Sequence, residues 1–193
     1  MTDCLIVGVG GQGTVLASRL VGNAALSAGL DVRGSETIGM AQRGGSVASH
    51  VRIGAGIASP IISPGGADVI LAFEPCECAR ALEYLKPGGL VVVCGRAIQP
   101  FSLSGDGYDE PEVMRYISDS VKNLVVLDGD YIEEQCGAKS LNVAILGAAI
   151  SRGALPFSLD GMEWVLDGRF GARVSEMNKH ALRTGAQMAS GQA

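Results

Sequence analysis

The chain contains no lysine before Lys86, and only 18% of its residues are charged. Its formal net charge is −5 at pH 7. A protein that binds nucleic acid needs a basic face for the phosphates, so this balance argues against such a partner. Any anion site that precedes Lys86 must be built from arginine or from backbone amides.

Long apolar runs are also absent. No uninterrupted run approaches the ~18 residues that a membrane span requires, so we expect no membrane association. A basic segment does not precede the short apolar run near Asp3, which argues against a signal peptide.

Cysteine is scarce and odd in number. Of the five cysteines only Cys76 and Cys78 are close in sequence. Without a secretion signal, an odd and scattered set indicates reduced thiols and a cytoplasmic protein. Iron–sulfur and zinc sites need several well-spaced ligands, so we expect no metal site in this chain.

Apolar residues and glycine are abundant, at 47% hydrophobic and 28 glycines. So apolar a composition suggests that a partner covers part of the surface. The chain has 193 residues, no linker and no internal repeat, and it therefore predicts one domain over residues 1–193.

Short apolar runs alternate with helical periodicity along the chain. The predicted strands are Cys4–Val9, Asp31–Thr37, Ser46–Ile53, Asp68–Phe73, Leu90–Gly95 and Leu124–Asp128. The predicted helices are Thr14–Ala28, one from Glu74 that ends at Lys86–Gly89, one from Pro111, and then Ser140–Ser151, Leu159–Arg169 and Ser175–Met188; the last five residues are expected to fray. This order predicts a Rossmann-like three-layer α/β/α fold with a mostly parallel sheet and a small antiparallel insertion around residues 46–59.

A glycine-rich turn follows the first strand, in the sequence "GVGGQGTVLAS". Gly8, Gly10 and Gly13 have the spacing of a dinucleotide-binding turn, and Gly11 and Gln12 lie within it. Glu36, near the end of the second strand, could hold a ribose. One open reading is therefore a stand-alone NAD- or FAD-binding oxidoreductase. A P-loop is excluded because no Gly-Lys-Ser/Thr follows.

A second loop, "GMAQRGGS", lies between two predicted strands. Its candidate site residues are Met40, Gln42, Arg43, Gly44 and Gly45. An arginine between glycines can grip a carboxylate or a phosphate with two parallel hydrogen bonds, or it can contact a partner protein. Glu74 is a further candidate because it follows a buried strand at the edge where such sheets bind ligands.

Other features carry less chemistry. The "GDG" at Gly105–Gly107 matches the start of the thiamine diphosphate motif, but that motif also needs an Asn-Asn pair, which this chain lacks. His50 and His180 are interpreted as structural or surface residues. We identify no catalytic residue in the chain.

Together the two loops resemble the gamma domain of the 2-oxoacid:ferredoxin oxidoreductases. The segment "GMAQRGGSV" with the following "SHVR" is most similar to the small subunit of the indolepyruvate type. "ADVILAFEPCECARALEYLKPGG", "LNVAILGA" and "EMNKHAL" extend the resemblance from about Leu5 to Gly185.

The resemblance implies a subunit that is inactive alone. Enzymes of this family decarboxylate 2-oxoacids on thiamine diphosphate, pass electrons through [4Fe–4S] clusters to ferredoxin and form acyl-coenzyme A. In the indolepyruvate type the large partner subunit carries the thiamine diphosphate, its magnesium and the clusters, so we expect no firmly bound cofactor here. The two loops would flank the active-site cleft and help to bind coenzyme A or the partner.

The gamma domain alone does not specify the oxoacid. A chain of this family could equally serve a pyruvate, a 2-oxoglutarate or a branched-chain oxoacid enzyme. A regulatory or scaffold module that binds a nucleotide without chemistry is a further alternative.

Overall fold

The structure, a computed structural model, describes residues 1–38, 45–97 and 108–192. The strands are β1 (Thr2–Val9), β2 (Val32–Ile38), β3 (Ser46–Ile53), β4 (Ala67–Ala72), β5 (Leu85–Cys94) and β6 (Asn123–Leu127). The helices are α1 (Thr14–Ser27), α2 (Pro75–Ala81), α3 (Glu110–Ser120), α4 (Gly129–Cys136), α5 (Leu141–Ser151), α6 (Leu159–Arg169) and α7 (Ala172–Ser190). Within these ranges no helix is both long enough and apolar enough to cross a bilayer.

The six strands form one sheet in the order β2-β3-β1-β4-β5-β6. Strands β1, β4, β5 and β6 pair in parallel, whereas β3 runs antiparallel to both of its neighbours, β1 and β2. The predicted α/β sheet, mostly parallel with an antiparallel part, is therefore confirmed. The first strand of the predicted antiparallel insertion, Ser46–Ile53, is β3. Residues 54–66 contain no strand, so β3 pairs with β1 and β2 and not with the rest of the insertion.

Helices cover both faces of the sheet. On one face α1, α4, α5, α6 and α7 bury alternate strand residues such as Ile6, Leu71 and Val92. On the other face α2 and α3 cover the intervening residues, among them Leu5, Ile70 and Val91. Since both faces are covered, β1, β4 and the second half of β5 can be apolar almost throughout.

Helix α5 is buried along nearly its whole length, from Asn142 to Ile150. Its small residues let α7 approach closely. A Cβ atom added to Gly147 would collide with the carbonyl oxygen of Leu182, and one added to Gly185 would collide with that of Ala144. The contact is therefore backbone against backbone, and both helices need glycine there.

Some predicted boundaries were wrong. Helix α2 ends at Ala81 and is followed by a 3-10 turn, Leu82–Tyr84, so Leu85 does not lie on the helix. "KPGG" does not end a helix but lies within β5. Helix α4 was not predicted, although Asp128 caps it by accepting hydrogen bonds from the amides of Asp130 and Tyr131, each at 3.0 Å.

The C-terminal residues are better held than the sequence suggested. The side-chain amide of Gln192 accepts a hydrogen bond from the backbone N–H of Val126 at 3.0 Å and donates one to its carbonyl oxygen at 2.7 Å. Gln192 thus takes the place of a neighbouring strand on the outer edge of β6. Such covering protects an edge from pairing with another chain.

The packing of α5 on α7 generates a stability prediction. We expect Gly147→Ala to lower the free energy of unfolding by about 1–3 kcal/mol, since the added methyl overpacks a rigid contact. Gly22→Ala is the matched control: a Cβ atom there meets nothing within 4 Å, in the middle of α1. It should raise stability by about 0.5–1 kcal/mol through helix propensity. Urea denaturation of both variants measures this, and equal effects would contradict the proposed packing.

Candidate functional site

The glycine turn meets Gly45 and Ser46, the last two residues of the second loop, at one edge of the sheet. This carboxyl edge contains the last residues of β1, β4, β5 and β6, and the first residue of the antiparallel β3. The register pairs Val9 at the end of β1 with Ser46 at the start of β3. The amide N–H of Gly10 then donates to the carbonyl oxygen of Gly45 at 3.0 Å. Residues that lie far apart in sequence are therefore brought together.

Four of the predicted site residues, Met40, Gln42, Arg43 and Gly44, lie outside the described residues. The residues that flank them are described. Ile38 pairs with Val47 in the β2/β3 ladder, so β2 ends and β3 begins at the carboxyl edge.

Gln12 bridges the two central parallel strands. Its side-chain Oε1 accepts a hydrogen bond from the amide of Val9 at 2.6 Å, and its Nε2 donates to the carbonyl oxygen of Phe73 at 2.8 Å. Val9 ends β1 and Phe73 follows β4. The chain leaves β1 toward one face of the sheet and β4 toward the other, so this is the crevice where α/β sheets commonly bind ligands. Here the protein's own amide occupies it.

The bridge explains the glycines of the turn. A Cβ atom on Gly8 would lie 2.8 Å from Gln12 Oε1 and 2.9 Å from the methyl of Thr14, so Gly8 makes room for the chain itself. Gly13 has φ of 86° and caps α1. The amides of Val9, Gly10 and Gln12 all donate within the protein, the last to the carbonyl oxygen of Val9 at 3.2 Å. These three amides are therefore not free to cradle a phosphate.

Glu36 does not take the position of a ribose ligand. In a dinucleotide fold the second strand lies directly beside the first, but here β3 separates β2 from β1. The Glu36 carboxylate instead accepts a hydrogen bond from the hydroxyl of Ser18 on α1 at 3.0 Å, and Arg19 lies 4.0 Å away. The structure thus links Glu36 to α1 and does not bring it to the glycine turn.

Glu74 lies in the carboxyl edge and is almost completely buried, with 1% of its surface exposed. One of its oxygens caps α2 by accepting the Glu77 amide at 2.9 Å, and the other accepts the hydroxyl of Tyr108. Burial, together with this carboxylate, raises the pKa of Tyr108. Tyr108 therefore stays protonated and donates to Glu74.

Sequence reasoning did not identify Glu77 and Ser46, which lie beside Glu74 in the same group of hydrogen-bonded side chains. Glu77 accepts a hydrogen bond from the hydroxyl of Ser46 at 2.5 Å and pairs with Arg80 at 2.7 Å. Ser46 begins β3, so this contact joins α2 to the strand that follows the second loop. The spacing Glu74-x-x-Glu77 at a helix start is the available signal, since an acidic residue at the third helical position is typical of helix caps.

The histidines and cysteines behave as structural groups. His50 is buried, its Nδ1 accepts the Ile62 amide at 3.2 Å, and burial lowers its pKa. His180 is exposed on α7. All five cysteines are free, and burial raises the pKa of Cys78 to about 12. In the described ranges no three His, Cys, Asp or Glu side chains lie close enough together to hold a metal ion. These cysteines therefore do not fit an iron–sulfur cluster.

The Gln12 bridge yields a second prediction. Gln12→Glu removes the donor to Phe73 and sets a carboxylate against its carbonyl oxygen, so we expect a loss of about 1–3 kcal/mol in unfolding free energy. Gln187→Glu makes the same charge change at an exposed position of α7 and should change stability by less than about 0.5 kcal/mol. Chemical denaturation at pH 7 compares them, and a neutral Gln12→Glu would refute the bridge.

The chain is similar in sequence to known proteins over nearly its whole length. The family model for pyruvate ferredoxin/flavodoxin oxidoreductase matches residues 3–188. The chain is 35% identical over 191 residues to the indolepyruvate oxidoreductase subunit IorB of Archaeoglobus fulgidus, covering 97% of this chain and 94% of that one. It is 28% identical over 189 residues to the pyruvate/ketoisovalerate oxidoreductases common subunit gamma of Pyrococcus abyssi, covering 95% and 94% respectively.

A solved structure has the same fold. The gamma subunit of a keto/oxoacid ferredoxin oxidoreductase from Geobacter sulfurreducens superposes with a TM-score of 0.70 at 23% identity, and the alignment covers 99% of both chains. From the match over nearly its whole length, this chain belongs to the pyruvate ferredoxin/flavodoxin oxidoreductase family.

Proposed function

We propose that this chain, as a single gamma domain over residues 1–193, is the small subunit of a 2-oxoacid:ferredoxin oxidoreductase of the indolepyruvate type. The complex would oxidatively decarboxylate a 2-oxoacid, transfer the acyl group to coenzyme A and pass the electrons to ferredoxin. The greater identity to the indolepyruvate subunit, 35% against 28% for the pyruvate/ketoisovalerate subunit, supports this choice of oxoacid.

One observation carries the proposal: the Gly10–Gly45 hydrogen bond, which joins the glycine turn to the end of the second loop. This bond holds Gly45, the described residue that follows Gln42 and Arg43 in sequence, at the carboxyl edge. We assign to Arg43 the recognition of an anion, such as a phosphate of coenzyme A, since guanidinium binds such groups with two parallel hydrogen bonds.

The remaining cofactors are assigned to a larger partner subunit. Thiamine diphosphate with its magnesium supplies the decarboxylation chemistry, and [4Fe–4S] clusters supply the electron path. Exposed aromatic side chains support a docking role for this chain, since Trp164 is 67% and Tyr116 is 56% exposed. The free thiols agree with a reducing compartment, so we propose that the complex works in the cytoplasm.

The stand-alone NAD or FAD enzyme is the alternative. The glycine spacing favours it, but the position of β3 and the Gln12 bridge do not. A rise in the melting temperature of the isolated chain with a nicotinamide or flavin nucleotide would support that alternative.

The proposed function is tested by anaerobic purification of the tagged full-length chain from its native host. We expect a large partner that contains iron, sulfide and thiamine diphosphate, and a complex that oxidises indolepyruvate in the presence of coenzyme A and ferredoxin. Recovery of the chain alone with a bound dinucleotide would overturn the proposal, and a preference for pyruvate would overturn the assigned oxoacid.

The reconstituted complex tests the role of Arg43. Loss of charge-assisted hydrogen bonding worth ~1.5–3 kcal/mol in total predicts that Arg43→Ala raises the KM for coenzyme A by roughly 10- to 150-fold, with a smaller effect on kcat. Arg173→Ala, at an exposed position on α7, is the control and should leave both constants unchanged. Unaltered acyl-coenzyme A formation by Arg43→Ala would show that the assignment is wrong.

A further inference from the structure

The amino terminus of α1 lacks a capping side chain. Its cap residue is Gly13, the first turn contains no acidic residue, and the first amide that bonds within the helix is that of Ala17, to Gly13 at 2.9 Å. The amides of Thr14, Val15 and Leu16 therefore have no acceptor in the described part of the chain. Free amides and the positive end of the helix dipole favour an anion at such a terminus.

A second helix begins beside it. The hydroxyl of Ser140, which precedes α5, turns back to the carbonyl oxygen of Cys136 at 2.6 Å and does not cap the helix. Asn142, in the first turn of α5, is 5% exposed. Its Oδ1 accepts the amide of Val143 at 2.9 Å, which defines the orientation of its side-chain amide. Its Nδ2 lies over Gly13, only 2.7 Å from where a Cβ atom would be.

Two buried polar groups at this junction have no partner among residues 1–38, 45–97 and 108–192. They are Nδ2 of Asn142 and the hydroxyl of Thr14, whose residue is 3% exposed. Neither atom is completely shielded from solvent. In those ranges the only completely buried side-chain N or O atom without a hydrogen-bond partner is Oγ of Ser49. Gly13 and Val15 are half-buried, so the junction reaches solvent. Both groups keep some contact with solvent, so a ligand that approaches from solvent can reach them and accept a hydrogen bond from each.

The glycine turn differs from the helix junction in the hydrogen bonding of its amides. The turn amides of Val9, Gly10 and Gln12 are all satisfied internally. Among the described residues the amides of Gly11, Gly13, Thr14, Val15 and Leu16 have no acceptor, and Nδ2 of Asn142 lies beside them. An anion that approaches this edge would therefore find most of its donors at the helix junction, next to the two free amides of the turn.

We propose that the junction of α1 and α5 binds an oxyanion of the phosphate type, held by the amides of Thr14, Val15 and Leu16, the Thr14 hydroxyl and Nδ2 of Asn142. The phosphate is either free inorganic phosphate or part of a nucleotide cosubstrate such as coenzyme A. The second source rests on the proposed function, whereas the site itself does not.

The test is a titration of the isotope-labelled full chain with inorganic phosphate at constant ionic strength, followed by NMR. We expect saturable shifts of the Thr14, Val15 and Leu16 amides and of the Asn142 side-chain amide. Asn142→Asp should weaken phosphate binding at least tenfold, because a carboxylate replaces the donor. Asn23→Asp adds the same charge at an exposed position of α1 and should change the Kd less than twofold.

A separate readout distinguishes binding from structural support. Without phosphate, Asn142→Asp should raise the melting temperature at low salt, since a carboxylate there complements two helix termini. Thr14→Val keeps the shape of the side chain but removes its hydroxyl, so it should weaken phosphate binding severalfold. This second variant tests the site even if Asn142→Asp does not fold. Absence of shifts at the junction, or wild-type affinity in both variants, would overturn the site.

The source of the phosphate is identified by two further titrations. Coenzyme A that reproduces the shifts, with pantetheine producing none, supports the cosubstrate as the ligand. Shifts with inorganic phosphate but not with coenzyme A support free phosphate. Both measurements use the isolated chain, so they stand whether or not the oxidoreductase complex is found.

Discussion

Strand β3 pairs antiparallel with β1 on one side and β2 on the other, and the arrangement of the carboxyl edge depends on this pairing. It brings the start of β3 to the end of β1, so Gly45 meets Gly10. It also moves β2 to the outer edge of the sheet, which takes Glu36 away from the glycine turn. A parallel β2 beside β1 would have produced the ordinary dinucleotide geometry instead.

Because β3 occupies that place, the glycine turn serves a different purpose. Gln12 lies across the ends of β1 and β4, and the glycines give it room. Hydrogen bonds within the protein thereby use three amides of the turn, those of Val9, Gly10 and Gln12. In the described part of the chain, the amides without an acceptor run from Gly11 and Gly13 into the start of α1, and Asn142 on α5 lies beside them.

The close packing of α5 between the sheet and α7 holds this junction. Glycine at positions 147 and 185 allows backbone contact, and the burial of α5 from Asn142 onward leaves its first turn no freedom to move away from Gly13. On the other face, Glu74 and Glu77 connect α2 to Tyr108 and to Ser46. The carboxyl edge is thus supported from both layers.

The sequence by itself determined the α/β class, most strand positions and the family, because apolar runs, glycine spacing and long motifs are local patterns. It did not determine which strands are neighbours, so neither the partners of β3 nor the distance of Glu36 from the glycine turn could be predicted. Nor did it reveal Thr14 and Asn142 as a pair, since 128 positions of chain separate them and only packing of α5 beside α1 joins them. Hydrogen bonds between distant residues depend on strand order and helix packing, and those are decided by the tertiary structure.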